Sequence, residues 1–243
     1  MPKKARRPSQ KSVRRCSKVS EAAPGYPDHI AFVAPERARI AEATRALIDA
    51  IMTTPNAAPS DLDAASATIE AVALSLAGNV DRTNGAGYVP RTHGDYLPRS
   101  PAVGAASPIS PGTIAWDVEA DPDHDGQLRA VATGTLTAAY EGPPGYVHGG
   151  VTALIFDEIL GIVNIANGSP GMTATLSVRY RRPTPLFAKL RWCAWIEHSE
   201  GRRVQSKAQV WNGDTLCAEA DGLFIQPNPE RQAEYFGTDT KLI

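Results

Sequence analysis

Cysteine is scarce in this chain: Cys16, Cys193 and Cys217 are its three examples in 243 residues. An odd, widely spaced set forms neither a CxxC pair nor a disulfide framework, so a reducing compartment, the cytoplasm, is expected. No stretch approaches the ~18 uninterrupted apolar residues of a membrane span, so no spanning helix is expected. The five histidines are scattered without metal-ligand spacing, and neither a metal nor any other cofactor is expected. No Gly-Lys-Ser/Thr follows a glycine loop, which excludes a P-loop. Ser169 lacks the first glycine of a G-x-S-x-G elbow, which argues against a serine triad. Net charge is only −1, and with 42% hydrophobic and 21% charged residues the composition excludes a wholly disordered or collagenous chain.

That small net charge is unevenly placed. The first 18 residues carry eight basic side chains and no acid, and without them 17 basic residues stand against 26 acidic ones, a balance of −9. Residues 1–30 read as a basic, disordered tail, with no apolar run after it to make a secretory signal. Residues 31–80 read as a helical hairpin. Its first helix, from 35 to about 52, has Ile40, Ala43, Leu47 and Ile51 on one stripe. The second starts at Ser60 as N-cap, with Leu62, Ile69, Ala73 and Leu76 as its stripe and Gly78 as its stop. Both stripes are expected to lie on something larger. Residues 81–112, rich in Gly, Pro, Asn and Ser, read as a linker or irregular loop with Tyr88 and Tyr96 to bury.

Beyond it the hydrophobic period changes to two. Residues 114–119 and 128–137 are strand-like. The intervening 121–126 resembles the front of a calcium loop, but Ala132 stands where the twelfth-place acid belongs, so it reads as a hairpin turn. One helix follows, from about 149 to 166. Then strands alternate through Ala174, Leu176, Val178 and Tyr180, through Leu190, Trp192, Ala194 and Ile196, through Val204, Ala208 and Val210, and through Leu216, Ala218, Ala220 and Phe224. Asn212-Gly213 is a strong hairpin signal. Two strands, a helix and a meander make an α+β domain over 113–226, an antiparallel sheet on one buried helix, followed by a tail over 227–243.

The helix is apolar on every side, as a buried helix is, yet Asp157 and Glu158 stand in its middle. Each carboxylate needs a partner, a wet cleft or an interface. Before the helix runs 142–150, where prolines stop any earlier extension and Gly149 and Gly150 bring bare N–H groups to the helix start beside His148. Such a terminus attracts negative charge and can hold a carbonyl oxygen as it becomes an oxyanion. Gly149 and Asp157 are eight residues apart, roughly 12 Å along a helix. One carbonyl cannot reach both in one subunit. Two antiparallel copies would bring Asp157 of one opposite Gly149 of the other, so a cooperating site requires a dimer.

Val147-His148-Gly149-Gly150, Asp157 nine residues past the histidine, Gly171-Met172-Thr173-Ala174, and the run from Tyr180 through Arg181-Arg182-Pro183-Thr184-Pro185 to Leu186 resemble the PaaI-type hotdog acyl-CoA thioesterases over about residues 110–226. The resemblance implies a curved antiparallel sheet around one long central helix, here with the N-terminal helical hairpin as an extension. It also implies a homodimer or dimer of dimers with shared sites. Asp157 is then the general base or nucleophile, the Gly149 amide polarises the thioester carbonyl beside His148, and the Thr173 hydroxyl orients water or carboxylate. Gly150 joins the substrate-binding residues. Arg181 and Arg182, with Arg202 and Arg203, are candidates for the CoA phosphates. Fatty acid metabolism is the expected setting, with acyl-CoA as substrate and neither nucleic acid nor membrane as partner. Two alternatives stay open: a non-catalytic acyl-CoA sensor and an enoyl-CoA hydratase.

Overall fold

The computed structural model describes residues 35–78, 100–228 and 230. The expectations for the basic arm, for Tyr88 and Tyr96, and for the segment after 230 lie outside these residues. Within them the order is helix α1 (Pro35–Thr53), helix α2 (Pro59–Ala77), strands β1 (Ala115–Ala120) and β2 (Leu128–Gly134), a 3-10 turn (Ala138–Tyr140), helix α3 (Gly149–Ala166), and strands β3 (Met172–Tyr180), β4 (Leu190–Glu200), β5 (Arg203–Asn212) and β6 (Thr215–Ile225). The six strands form one antiparallel sheet in the order β1-β2-β4-β5-β6-β3, so β3 crosses to the far edge beside β6.

A row of small side chains lets the sheet close around α3. Ala130, Ala194, Ala208 and Ala220 are register partners across four successive strands, and all are buried. Ile155, Phe156, Ile159, Leu160 and Val163 of α3 fill the space above them, with Trp192 and Phe224 at the sides. Fully burying each such chain stabilises the fold by ~1.5–3 kcal/mol. In the next row Val131 pairs with Cys193, and these two with Trp195 and Trp211 form a second buried cluster. Cys217 is a free, buried thiol. At 18 residues and a mean hydropathy of 1.6, α3 is long and apolar enough to cross a membrane; here the sheet wraps it.

The turn at 121–127 closes the β1–β2 hairpin, with Gly126 at φ +75° where a left-handed conformation is needed. β2 stops at Gly134 rather than 137, and a Cβ at Gly134 would stand 2.4 Å from the Thr113 carbonyl oxygen, so that close approach requires glycine.

The N-terminal helices depart from the expected stripes. α1 buries Ala41 and leaves Ile40, Leu47 and Ile51 exposed; it packs on the 3-10 turn, and Arg45 donates to the Ser107 carbonyl at 2.8 Å. α2 begins at Pro59, with Ala58 rather than Ser60 as N-cap, and buries none of its residues. Its stripe is therefore bare among the described residues. Apolar periodicity located both helices but did not say which face would find a surface.

Residues 100–112 form an ordered strap. Ala102 and Val103 enter the core, and the buried Ser110 hydroxyl donates to the Gly104 carbonyl at 2.6 Å. Ser100 accepts the Ala102 and Val103 N–H groups and donates its own proton to Glu158 Oε2 at 2.7 Å, clipping the strap to α3. Burial pushes the Glu158 carboxyl above the usual range; the Ser100 bond pulls it down less strongly, and the neighbouring Asp157 adds to the rise.

Two expected outcomes follow from this packing. Ala194→Leu overfills the alanine row and is expected to cost about 1–3 kcal/mol in urea unfolding, whereas Leu154→Ala, at a partly exposed position, is expected to stay within about 1 kcal/mol. The folded state holds the Glu158 proton more tightly than the unfolded chain, so this group's contribution is full at low pH. It is lost as pH rises through the raised folded pKa. The melting temperature of Glu158→Gln relative to the parent is therefore expected to climb between pH 4 and pH 8; a difference independent of pH would refute this.

Candidate functional site

At the start of α3 the sequence His148-Gly149-Gly150 sets the cap. His148 lies outside the helix at φ −60°, ψ 134°, and its Nδ1 accepts the Gly150 N–H at 3.0 Å. A ring nitrogen that accepts leaves the proton of a neutral imidazole on Nε2, pointing a donor away from the helix. The Gly150 amide, expected to meet substrate, is thus already used. The Gly149 N–H has no hydrogen-bond partner among the described residues. A free first-turn amide carries the positive end of the helix dipole.

Tyr180, the last residue of β3, donates its hydroxyl proton to the Gly149 carbonyl at 2.7 Å. Its ring lies 3.3 Å from where a Gly149 Cβ would stand, so any larger residue at 149 would press on it. Tyr180 thereby fixes the glycine whose amide is open. It stood in the sequence as the start of the Tyr-Arg-Arg-Pro run with no role of its own, and its hydroxyl's partner lies 31 residues away.

Two turns along α3, Asp157 is half-buried and accepts the Thr173 hydroxyl proton at 2.8 Å. A bulge makes this possible. The β3–β6 register slips between Thr173 and Thr175, breaking the alternation and turning Thr173 toward the helix. Asp157, Glu158, Gly161 and Ile165 line one side of a cavity of about 180 Å³, with Gly171, Thr173 and Phe224 on the other. Neither Asp157 nor Glu158 meets a cation among the described residues; each is served by a hydroxyl instead. Ser100, 58 residues before Glu158, carried no local signal of this contact.

The arginines divide. Arg181 forms an ion pair with Glu219, to which Arg179 also lies at 3.7 Å. Arg202 donates to the Gln226 carbonyl and Arg203 lies on the exposed face of β5. Arg182 is exposed and donates only to the carbonyl of its neighbour Arg181. Trp192, Trp195 and Phe156 are core residues no more than 2% exposed.

Residues 144–219 match the model of the thioesterase superfamily. Acyl-coenzyme A thioesterase THEM4 of Mus musculus is 37% identical over 93 residues, which cover 37% of this chain and 40% of that protein. Its Bos taurus counterpart is 36% identical over 95 residues, covering 38% and 39%. The match thus spans less than half the length of these curated relatives. The crystal structure of a thioesterase superfamily protein aligns with a TM-score of 0.67 at 28% identity, covering 86% of this chain and 99% of that one. Sheet order, helix placement and the 144–219 match agree: the chain is similar to the thioesterase superfamily over that segment and carries the hotdog fold.

Proposed function

We propose that this chain hydrolyses acyl-CoA thioesters to free acid and CoA, working as a homodimer or a dimer of dimers. One observation carries the reading: a half-buried carboxylate, Asp157, opens onto a cavity with a hydroxyl holding it, on the same helix whose first amide, Gly149, is unpartnered. Relatives named acyl-coenzyme A thioesterases support it.

In this mechanism the thioester carbonyl oxygen accepts from the Gly149 N–H and from His148 Nε2, which strengthen as the oxygen gains charge. Asp157, oriented by Thr173, takes a proton from water as the water oxygen bonds to the carbonyl carbon. The tetrahedral intermediate collapses, the C–S bond breaks, and the thiolate departs and takes up a proton. A thiolate is a good leaving group, so one base, one water and one oxyanion site suffice. Asp157 as a nucleophile forming a mixed anhydride is the other route open to the same atoms.

Distance sets the assembly. Asp157 and Gly149 sit on one unbroken helix, eight residues and roughly 12 Å apart, so the amide must come from a second copy. β3, at the sheet edge with most of its residues exposed, offers a free ladder for such pairing. With Arg181 matched by Glu219, Arg182 is the arginine we assign to the CoA phosphates.

Free-thiol release from an acyl-CoA panel tests this. Asp157→Ala is expected to lower kcat by roughly 10²–10⁴-fold. Thr173→Ala is expected to lower it by about 10–100-fold, the loss of a hydrogen bond to a charged group. Sites shared between subunits add a sharper expectation: mixing Asp157→Ala and His148→Ala protomers restores turnover, because each hybrid dimer holds one intact site. Parental activity in Asp157→Ala would end the reading, and mixtures no better than their components would end the sharing.

A further inference from the structure

Tyr180 and His148 grip one peptide bond from its two ends. The peptide joins Gly149 to Gly150: its carbonyl accepts the Tyr180 hydroxyl proton at 2.7 Å, and its N–H donates to His148 Nδ1 at 3.0 Å. A carbonyl oxygen has two lone pairs, and inside a helix one is met by the N–H four residues on, so Tyr180 takes the second. A donor on the oxygen leaves the amide proton of the same peptide more positive, and hydrogen bonds in series strengthen one another. Every donor in this series points the same way. It starts at the Tyr180 hydroxyl, runs through the Gly149–Gly150 peptide into Nδ1, and leaves by the Nε2 proton that the proposed mechanism aims at the thioester oxygen.

Both glycines are used by the series. A Cβ at Gly149 would stand 3.3 Å from the Tyr180 hydroxyl oxygen, and one at Gly150 would stand 3.1 Å from His148 Nδ1. Either would press on one of the two bonds. The outer members are anchored by a single segment. Directly after Tyr180, the Arg181 and Arg182 amides donate to the Cys217 carbonyl at 2.7 and 2.9 Å. Directly before His148, the Val147 amide donates to the Thr184 carbonyl at 2.8 Å. Tyr180 itself is 54% exposed, so core packing does not account for it. All of these groups belong to one chain, and the series is complete within it.

We propose that Tyr180 is a positioning residue for the oxyanion site, acting on His148 through the Gly149–Gly150 peptide and touching no reacting atom. The inference rests on the thioester-hydrolase reading and adds the group that stands behind the histidine.

Tyr180→Phe tests it, since the ring stays against Gly149 and only the hydroxyl is lost. In thiol release, kcat is expected to fall about two- to tenfold, the range of one neutral hydrogen bond, with KM moved by less than about twofold. In a His148→Ala background the same change is expected to cost nothing further, because the series then ends on no donor. An equal loss in both backgrounds would overturn the proposal. Amide hydrogen exchange supplies a readout without substrate. Tyr180→Phe is expected to speed exchange of the Gly150 amide about two- to tenfold and to leave the Val151 amide, which donates to the His148 carbonyl at 3.0 Å, unchanged. Both amides faster would mean a loosened helix start, and neither faster would mean no coupling; each result refutes the series. If the parent hydrolyses nothing, the hydrolase reading falls by itself, and the exchange comparison still decides whether Tyr180 acts through the peptide.

Discussion

Two adjacent carboxylates on an apolar helix, with no cation near either among the described residues, impose the condition that the rest of the site must meet. Burying an ion without a partner is costly, and an arginine drawn in to pair with it would neutralise the group that the proposed mechanism uses. This chain meets the condition with hydroxyls. Thr173 comes from β3 and Ser100 from the strap that precedes the sheet, so the two acids are served from two different elements. A hydroxyl satisfies a carboxylate lone pair without adding charge. Asp157 therefore keeps an open side to the cavity, while Glu158 is tied down and carries the strap.

The same economy appears at the helix start. His148 caps α3 by accepting the Gly150 amide, Tyr180 holds the Gly149 carbonyl, and the Gly149 N–H is what is left over. Each contact uses a group that the fold already had to satisfy, since the first amides of any helix lack intrahelical partners. A site made of residual hydrogen-bonding capacity needs little dedicated machinery. It does need its parts at fixed separation, and an α-helix is a stiff ruler. In the proposed mechanism, the length that keeps Gly149 and Asp157 apart in one subunit calls for an antiparallel second helix to join them.

Much of this was legible because the sequence broke its own pattern. Asp157 and Glu158 stood out as the only acids in an otherwise apolar helix, and the turn signals around the strands gave the meander and the 149–166 helix directly. The alternation of β3 placed Thr173 with Thr175 and Ser177, but not the bulge that turns it to Asp157; register slips leave little trace in a period-two pattern. Ser100 and Tyr180 were illegible for a different reason, since their partners lie 58 and 31 residues away. Arg181 read as a free cation because only the cross-strand register, which sets Tyr180 opposite Ala218 and Arg179 opposite Glu219, brings the acid to it. The stripes of α1 and α2 were correct as periodicity and silent about destination.

That silence has a physical source which also bears on assembly. A helix signals that one face is apolar, and burial follows only if the fold supplies a matching surface. Among the described residues α3 finds one in the alanine row, while the stripe of α2 and the outer edge of β3 do not. An unpaired strand edge ordinarily carries charges or a bulge against pairing. β3 has a bulge only at its first residues; from Leu176 to Tyr180 its register with β6 is regular, and the sheet ends there on a run that a second antiparallel strand could extend. Pairing at this edge would lay the two copies of α3 side by side, which is the arrangement that the separation of Gly149 from Asp157 requires. The proposed mechanism and the sheet edge thus point the same way: β3 has no outer neighbour among the described residues, and the proposed base and oxyanion site lie too far apart on one helix.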